Sequence, residues 1–131
     1  MSGARILVVD DNPTNLKLVS DVLAFSGFEI VQAVDAESAQ EVIRKSPPEL
    51  ILMDIALPGM DGLTLTHTLK ADETTRNIVI VALTAFAMKG DEARARDAGC
   101  DGYITKPIDT RTLGDTVASY LRAAARGEET P

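Results

Sequence analysis

The sequence predicts a doubly wound α/β domain built on a five-stranded parallel sheet, and three observations predict it. Short apolar runs alternate with longer amphipathic segments, five of each, which is the pattern of βα units. The runs Ile6–Val9, Leu50–Met53 and Ile78–Leu83 are continuous rather than alternating, as strands covered on both faces must be. Residues that carry chemistry directly follow these runs: Asp10 and Asp11 the first, Asp54 the third, Thr84 the fourth and Lys106 the last. In an open α/β sheet the carboxyl ends of the strands border the crevice where ligands bind.

Taken in order, Ile6–Val9 is the first strand. Pro13 then suits the first turn of a helix whose apolar face is Leu16, Val19 and Leu23, and Gly27 suits its end. Phe28–Val34 is a more mixed run, so this strand belongs nearer a sheet edge. Ala39 with Val42 or Ile43 marks a second helix, which Pro47 and Pro48 break before the strand Leu50–Met53. Leu65 and Leu69 mark the third helix, and Ile78–Leu83 the fourth strand. Residues 88–98 are poor in large apolar side chains, so the fourth helix should pack lightly and move more easily than the others. Gly102–Thr105 is a second edge-type strand. Asp109 suits an N-cap for the last helix, with Leu113, Val117 and Leu121 on its inner face. Beyond that the chain turns polar. One domain over residues 1–122, followed by a frayed or disordered tail at 123–131, accounts for the whole sequence, with no repeat, linker or second domain.

With 131 residues the chain can bury roughly two thirds of the surface its unfolded form exposes. The formal net charge of −7 disfavours nucleic acid or an anionic membrane surface as partner and favours a basic protein surface. A single cysteine, Cys100, excludes an internal disulfide and reads as a small packed side chain in a turn-like stretch. No apolar stretch approaches the ~20 residues of a membrane span, so a soluble, cytoplasmic protein is expected.

If the first and third strands are neighbours, Asp10, Asp11 and Asp54 converge. Two like charges about 4 Å apart cost roughly 4 kcal/mol at an effective dielectric near 20, so such a cluster calls for a cation. A hard divalent ion with oxygen ligands, Mg²⁺ above all, meets that need. The plainer alternative is that Asp10 and Asp11 only cap the first helix. A carboxylate beside a metal can attack phosphorus to give an aspartyl phosphate, and Asp54 is the candidate nucleophile. The Thr84 hydroxyl and Lys106 ammonium could then bind phosphoryl oxygens. Taken singly, Thr84 reads as packing and Lys106 as a solvated cation; the conjunction carries the reading.

Val8–Asn12, Leu52–Gly62, Leu83–Ala85 and Gly102–Pro107 together resemble the receiver domain of two-component response regulators, from Arg5 to about Arg122. The wording of Thr84–Asp91 is most similar to DivK-type single-domain regulators of bacterial cell-cycle signalling. The resemblance implies a CheY-like, flavodoxin-like sheet with strand order 2-1-3-4-5. It implies that Asp54 accepts a phosphoryl group from the histidine of a sensor kinase or phosphotransfer protein. Mg²⁺ would be held by Asp10, Asp11, Asp54 and the backbone carbonyl of Ala56, with Thr84 and Lys106 on the phosphoryl oxygens. It further implies a switch pair, Thr84 and Tyr103, a cis bond between Lys106 and Pro107, and partner exchange on the face made by the fourth helix, fifth strand and fifth helix. Without the resemblance, Tyr103 reads as a surface residue on an edge strand.

Ala56 offers no polar side chain to place an attacking water, and Phe86 is bulky, so slow self-dephosphorylation is expected. His67, the lone histidine, reads as exposed on the third helix and not as a phosphodonor. A phosphatase or adaptor could complete the partner set, and the protein itself would be a monomer or a weak, phosphorylation-dependent dimer. Met1 and the short tail fit a free-standing protein, and a receiver used only as a phosphate relay is a close variant. The competing class is an aspartate-nucleophile phosphohydrolase of the haloacid-dehalogenase type. Those enzymes carry a second Asp two residues past the nucleophile as general acid, where this chain has Ala56. A binding switch rather than a turnover enzyme is therefore expected.

Overall fold

The computed structural model describes residues 3–55, 62–84, 91–105 and 108–125, with the backbone alone at Thr84, Asp91, Glu92 and Ala125. The chain runs β1 (Arg5–Val9), α1 (Pro13–Phe25), β2 (Glu29–Ala33), α2 (Ala36–Lys45), β3 (Leu50–Asp54), α3 (Gly62–Ala71), β4 (Val79–Thr84), α4 (Asp91–Ala98), β5 (Gly102–Thr105) and α5 (Leu113–Ala125). All pairings are parallel and the order is β2-β1-β3-β4-β5, as expected. The two mixed strands, β2 and β5, are the edges.

Both faces of the sheet are covered, which is why the central strands carry no polar alternation. Ile6, Val8, Leu50, Leu52, Val81 and Leu83 pack against Leu16, Val19 and Leu23 of α1 and Leu113, Val117 and Leu121 of α5. Leu7, Val9, Ile51, Met53 and Ile80 pack on the other face against Ala36, Ala39 and Ile43 of α2 and Leu65 and Leu69 of α3. In α2 it is Ile43, not Val42, that is buried; Val42 lies half-buried at the margin of the same cluster. Each fully buried Leu or Ile contributes about 1.5–3 kcal/mol relative to leaving it in water.

The helix ends follow local chemistry. Gly27 takes φ of +100°, and the Phe28 N–H reaches the Leu23 carbonyl at 3.2 Å while the Gly27 N–H reaches that of Ala24 at 3.0 Å, a Schellman end for α1. Asp109 sits one turn earlier than an N-cap of α5 would. Its carboxylate accepts the Arg111 N–H at 2.9 Å and its carbonyl the Leu113 N–H at 3.1 Å, so it heads the turn that leads into the helix. The last helix continues to Ala125, past the expected domain edge at 122, and the rest of the expected tail lies outside the described residues.

At the start of α2, Asp35 and Ser38 form a reciprocal capping box. The Ser38 hydroxyl and N–H, at 2.6 and 2.8 Å, hold the Asp35 carboxyl below its ordinary value of 3.8. A depressed folded-state pKa adds stability above the unfolded value and loses it as pH falls through the folded one. Asp35→Asn should therefore flatten the loss of stability below about pH 4 and leave the neutral-pH slope unchanged. Urea midpoints measured from pH 2 to 7 check this; an unaltered acid limb would contradict it.

Candidate functional site

Val9 is registered beside Met53, so Asp10, the residue after β1, and Asp54, the last of β3, stand side by side at the carboxyl edge of the sheet. They also share a parity. Ile6 and Val8, like Leu50 and Leu52, face the α1/α5 layer, and Asp10 and Asp54 are the next residues in those two series. Asp10 is fully buried, Asp54 is 5% exposed, and Asp11 is exposed. One carboxylate oxygen from each of the three lies within 4.8 Å of the other two.

The helix-cap alternative for Asp10 and Asp11 is set aside by geometry. Asn12 is the N-cap of α1, its side-chain oxygen accepting the N–H groups of Thr14 at 2.9 Å and Asn15 at 3.1 Å. Pro13 occupies the first helical position, where a missing N–H costs nothing. Asp10 instead accepts the Asn12 N–H at 2.9 Å, which pins its carboxylate across the strand-to-helix turn. Sequence reasoning read Asp11, Asn12 and Pro13 as a helix start but offered the cap to the aspartates; Asn12 takes it instead.

Three carboxylates, two of them shielded from water, suit a hard divalent cation that takes oxygen ligands, and the exposed Asp11 leaves such an ion open to water and to an incoming oxyanion. On the next strand Leu83 is registered beside Asp54, so the backbone of Thr84 lies one step further toward the same edge, paired with Thr105 of β5. Lys106 follows Thr105 directly in the chain. Lys106, Pro107, Ala56 and Phe86 lie outside the described residues, as does the side chain of Thr84.

Tyr103 is half-buried on β5 against a small cluster of Ile55, Ala82 and Ala95, which places it between the residue after Asp54 and helix α4. The light packing expected of α4 is seen in Ala95, its one buried apolar side chain among the described residues. Cys100 packs between clusters, and burial pushes its thiol pKa up, opposed by the Thr66 hydroxyl 3.8 Å away. That is the environment of an inert thiol. His67 is exposed on α3.

Gly62 is a second residue whose role the sequence did not disclose. A Cβ there would run into the Asp54 carbonyl oxygen and lie 2.9 Å from Ile55 Cα and 2.9 Å from Met53 Cγ. Its N–H reaches the Ile55 carbonyl at 3.4 Å. Only glycine lets α3 begin this close to the end of β3.

Residues 6–118 match the response regulator receiver domain. The chain belongs to this family. The receiver is 46% identical over 116 residues to the polar-differentiation response regulator DivK of Brucella ovis, covering 88% of this chain and 94% of that one. It is 45% identical over the same length to DivK of Brucella anthropi. Among solved structures, the receiver domain of NtrX from Brucella abortus superposes with a TM-score of 0.82 at 30% identity, over 89% of this chain and 98% of that one. A CheY-like receiver domain protein from Methanospirillum hungatei gives 0.85 at 30% identity, over 96% and 99%. The chemotaxis regulator CheY4 of Vibrio cholerae shares the fold at 0.84, with 24% identity over 91% and 99%. Receivers are modules of two-component signalling, which removes the phosphohydrolase alternative at the level of family. Among the described residues no helix is long and apolar enough to cross a membrane.

Proposed function

We propose that this receiver accepts a phosphoryl group on Asp54 from the phosphohistidine of a sensor histidine kinase or phosphotransfer protein, and that the modified form exchanges partners through α4, β5 and α5. The approach of three carboxylate oxygens to within 4.8 Å at the ends of β1 and β3 carries this reading. Asp54 is the acceptor because it is the strand-end carboxylate next in register to β4 and Thr84. Its oxygen attacks phosphorus, the P–N bond breaks, and the electron pair remains on the imidazole nitrogen. Asp10, Asp11, Asp54 and the Ala56 carbonyl would hold Mg²⁺, which when bound supplies positive charge against the carboxylates and the phosphoryl oxygens. The Thr84 hydroxyl donates to one phosphoryl oxygen and the Lys106 ammonium to another. Thr84 and Tyr103 then relay the added charge to the α4 face.

On this reading the receiver extends to the end of α5 at Ala125 and works in the cytoplasm as a switch, not a turnover enzyme. Its contacts are with a histidine kinase or phosphotransfer protein and with a phosphatase or adaptor, and it is monomeric or dimerises weakly once phosphorylated. The similarity to DivK supports a role in cell-cycle signalling. Intact mass after incubation with acetyl phosphate and Mg²⁺ tests the chemistry: one added phosphoryl group, absent in Asp54→Asn and in chelator, is expected. With Ala56 two residues past Asp54 and Phe86 two past Thr84 in the sequence, the adduct should persist far beyond seconds in a decay series. No adduct from either acetyl phosphate or a phosphorylated kinase would overturn the reading, and steady turnover of a phosphomonoester would restore the hydrolase.

A further inference from the structure

Lys70, in the last turn of α3, is 19% exposed and takes no part in the site described above. Its ammonium donates to the carbonyls of Ile78 at 2.8 Å and Arg76 at 3.1 Å, and to Oδ2 of Asp101 at 2.8 Å. The same Oδ2 accepts the Ile80 N–H at 2.8 Å, and the Asp101 N–H donates to the Ile80 carbonyl at 2.7 Å. One ammonium thus ties together α3, the amino end of β4 and the turn between α4 and β5. It does so at the end of the sheet opposite the carboxylates.

The turn itself is tightly built. Gly99 takes φ of +103°, and a Cβ on it would lie 3.1 Å from Lys70 Cγ, so the turn rests directly on the lysine stem. The Cys100 N–H closes the last turn of α4 onto the Ala95 carbonyl at 3.0 Å. Elsewhere α4 is held thinly: Ala95 is its one buried apolar side chain among the described residues, in a cluster whose other buried members are Ile55 and Ala82. Charge-assisted hydrogen bonds are stronger than neutral ones, so the part-buried clasp gives the turn that follows α4 a firm attachment.

We propose that the Lys70–Asp101 clasp is the pivot of α4, fixing its carboxyl end to α3 and β4 and resisting any shift of the helix. Because Ala95 and Tyr103 pack on Ile55, the residue after Asp54, the clasp also sets how readily the site takes a phosphoryl group. The first statement stands without the function proposed above; the second rests on it.

Hydrogen–deuterium exchange on the full chain without Mg²⁺ tests the pivot, comparing Lys70→Met, Asp101→Asn and a control, Ile43→Val, that removes a methyl from α2. Asp101→Asn keeps the volume and an acceptor for the Ile80 N–H, so it remains informative if Lys70→Met folds poorly. The clasp variants should raise exchange across 91–101 about tenfold while α1, α2 and α5 change less than about twofold; the control should show no such selectivity. A uniform rise, or none, overturns the pivot. Titration with beryllofluoride and Mg²⁺ tests the coupling, and Asp101→Asn should bind about threefold or more tightly than the unaltered chain. Selective exchange with unchanged beryllofluoride affinity overturns the coupling. Failure of the unaltered chain to bind beryllofluoride at all would count against the proposed function and leave the exchange result standing.

Discussion

Asp54→Asn is expected to raise the melting temperature of the metal-free protein while abolishing phosphoryl uptake and weakening Mg²⁺ binding about tenfold or more. The two effects have one cause. Carboxylate oxygens of Asp10, Asp11 and Asp54 lie within 4.8 Å of one another, and at an effective dielectric near 20 a like-charge pair at such a distance costs roughly 3–4 kcal/mol. Asp11 is solvated, Asp10 is partly compensated by the Asn12 N–H, and Asp10 and Asp54 each have further polar or electrostatic partners, so the net relief is smaller. About 1–2 kcal/mol is expected, or roughly 3–8 °C for a domain of this size. The isosteric amide preserves packing, which keeps cavity effects out of the comparison. Mg²⁺ should offset that gain, because at a hundredfold the unaltered chain's Kd it adds about 2.7 kcal/mol to that chain but only about 1.4 kcal/mol to a variant that binds tenfold more weakly. Melting curves against Mg²⁺ concentration should therefore converge, and cross if the loss of affinity is larger than tenfold. A variant less stable than the unaltered chain without metal would mean that the Asp54 carboxylate is a structural anchor and not a member of a strained cluster.

Gly62→Ala is expected to destabilise the fold by about 1–3 kcal/mol through overpacking and to weaken Mg²⁺ binding with it. Helix propensity predicts the opposite, since Ala favours a helix over Gly by up to about 1 kcal/mol. The clash should win because what the new methyl meets is mostly backbone: the Asp54 carbonyl and Ile55 Cα, which can yield only by moving the end of β3 itself. Gly102 is the useful contrast. A Cβ there meets the ring of Tyr120, a side chain that can rotate away, so Gly102→Ala should cost less and leave the metal affinity unchanged. Urea midpoints and Mg²⁺ titrations on both variants decide the matter. Full stability and affinity in Gly62→Ala would show that α3 can start further from the site than it does here.

Much of the fold was legible because each layer of it is written locally. Continuous apolar runs identify strands covered on two faces, and weaker runs identify edges; β2 and β5 are both where that rule puts them. Candidate site residues were legible for a related reason. In a parallel sheet every strand ends at the same edge, so a carboxylate directly after an apolar run is placed near others of its kind before any distance is known. The sequence pointed to Asp10, Asp11 and Asp54 in this way, but it could not say which would be buried. That depends on parity carried through a register, Val9 beside Met53, which no single strand encodes.

Lys70 shows the limit most clearly. After Leu69, near the end of an amphipathic helix, it reads as an ordinary solvated lysine, yet its partners are Arg76, Ile78 and Asp101, 6, 8 and 31 residues further on. Gly62 and Asn12 reach the same limit at shorter range: one is required by the close approach of α3 to β3, the other takes the cap that either aspartate could have filled. By itself the sequence determined the element order, the two covered faces and the edge of the sheet where charge gathers, because hydrophobic period and strand polarity are local properties. Only the tertiary structure decided which carboxylates are buried, which residue caps α1 and what Lys70 ties together, because those follow from register and crossing contacts between segments that are distant in the chain.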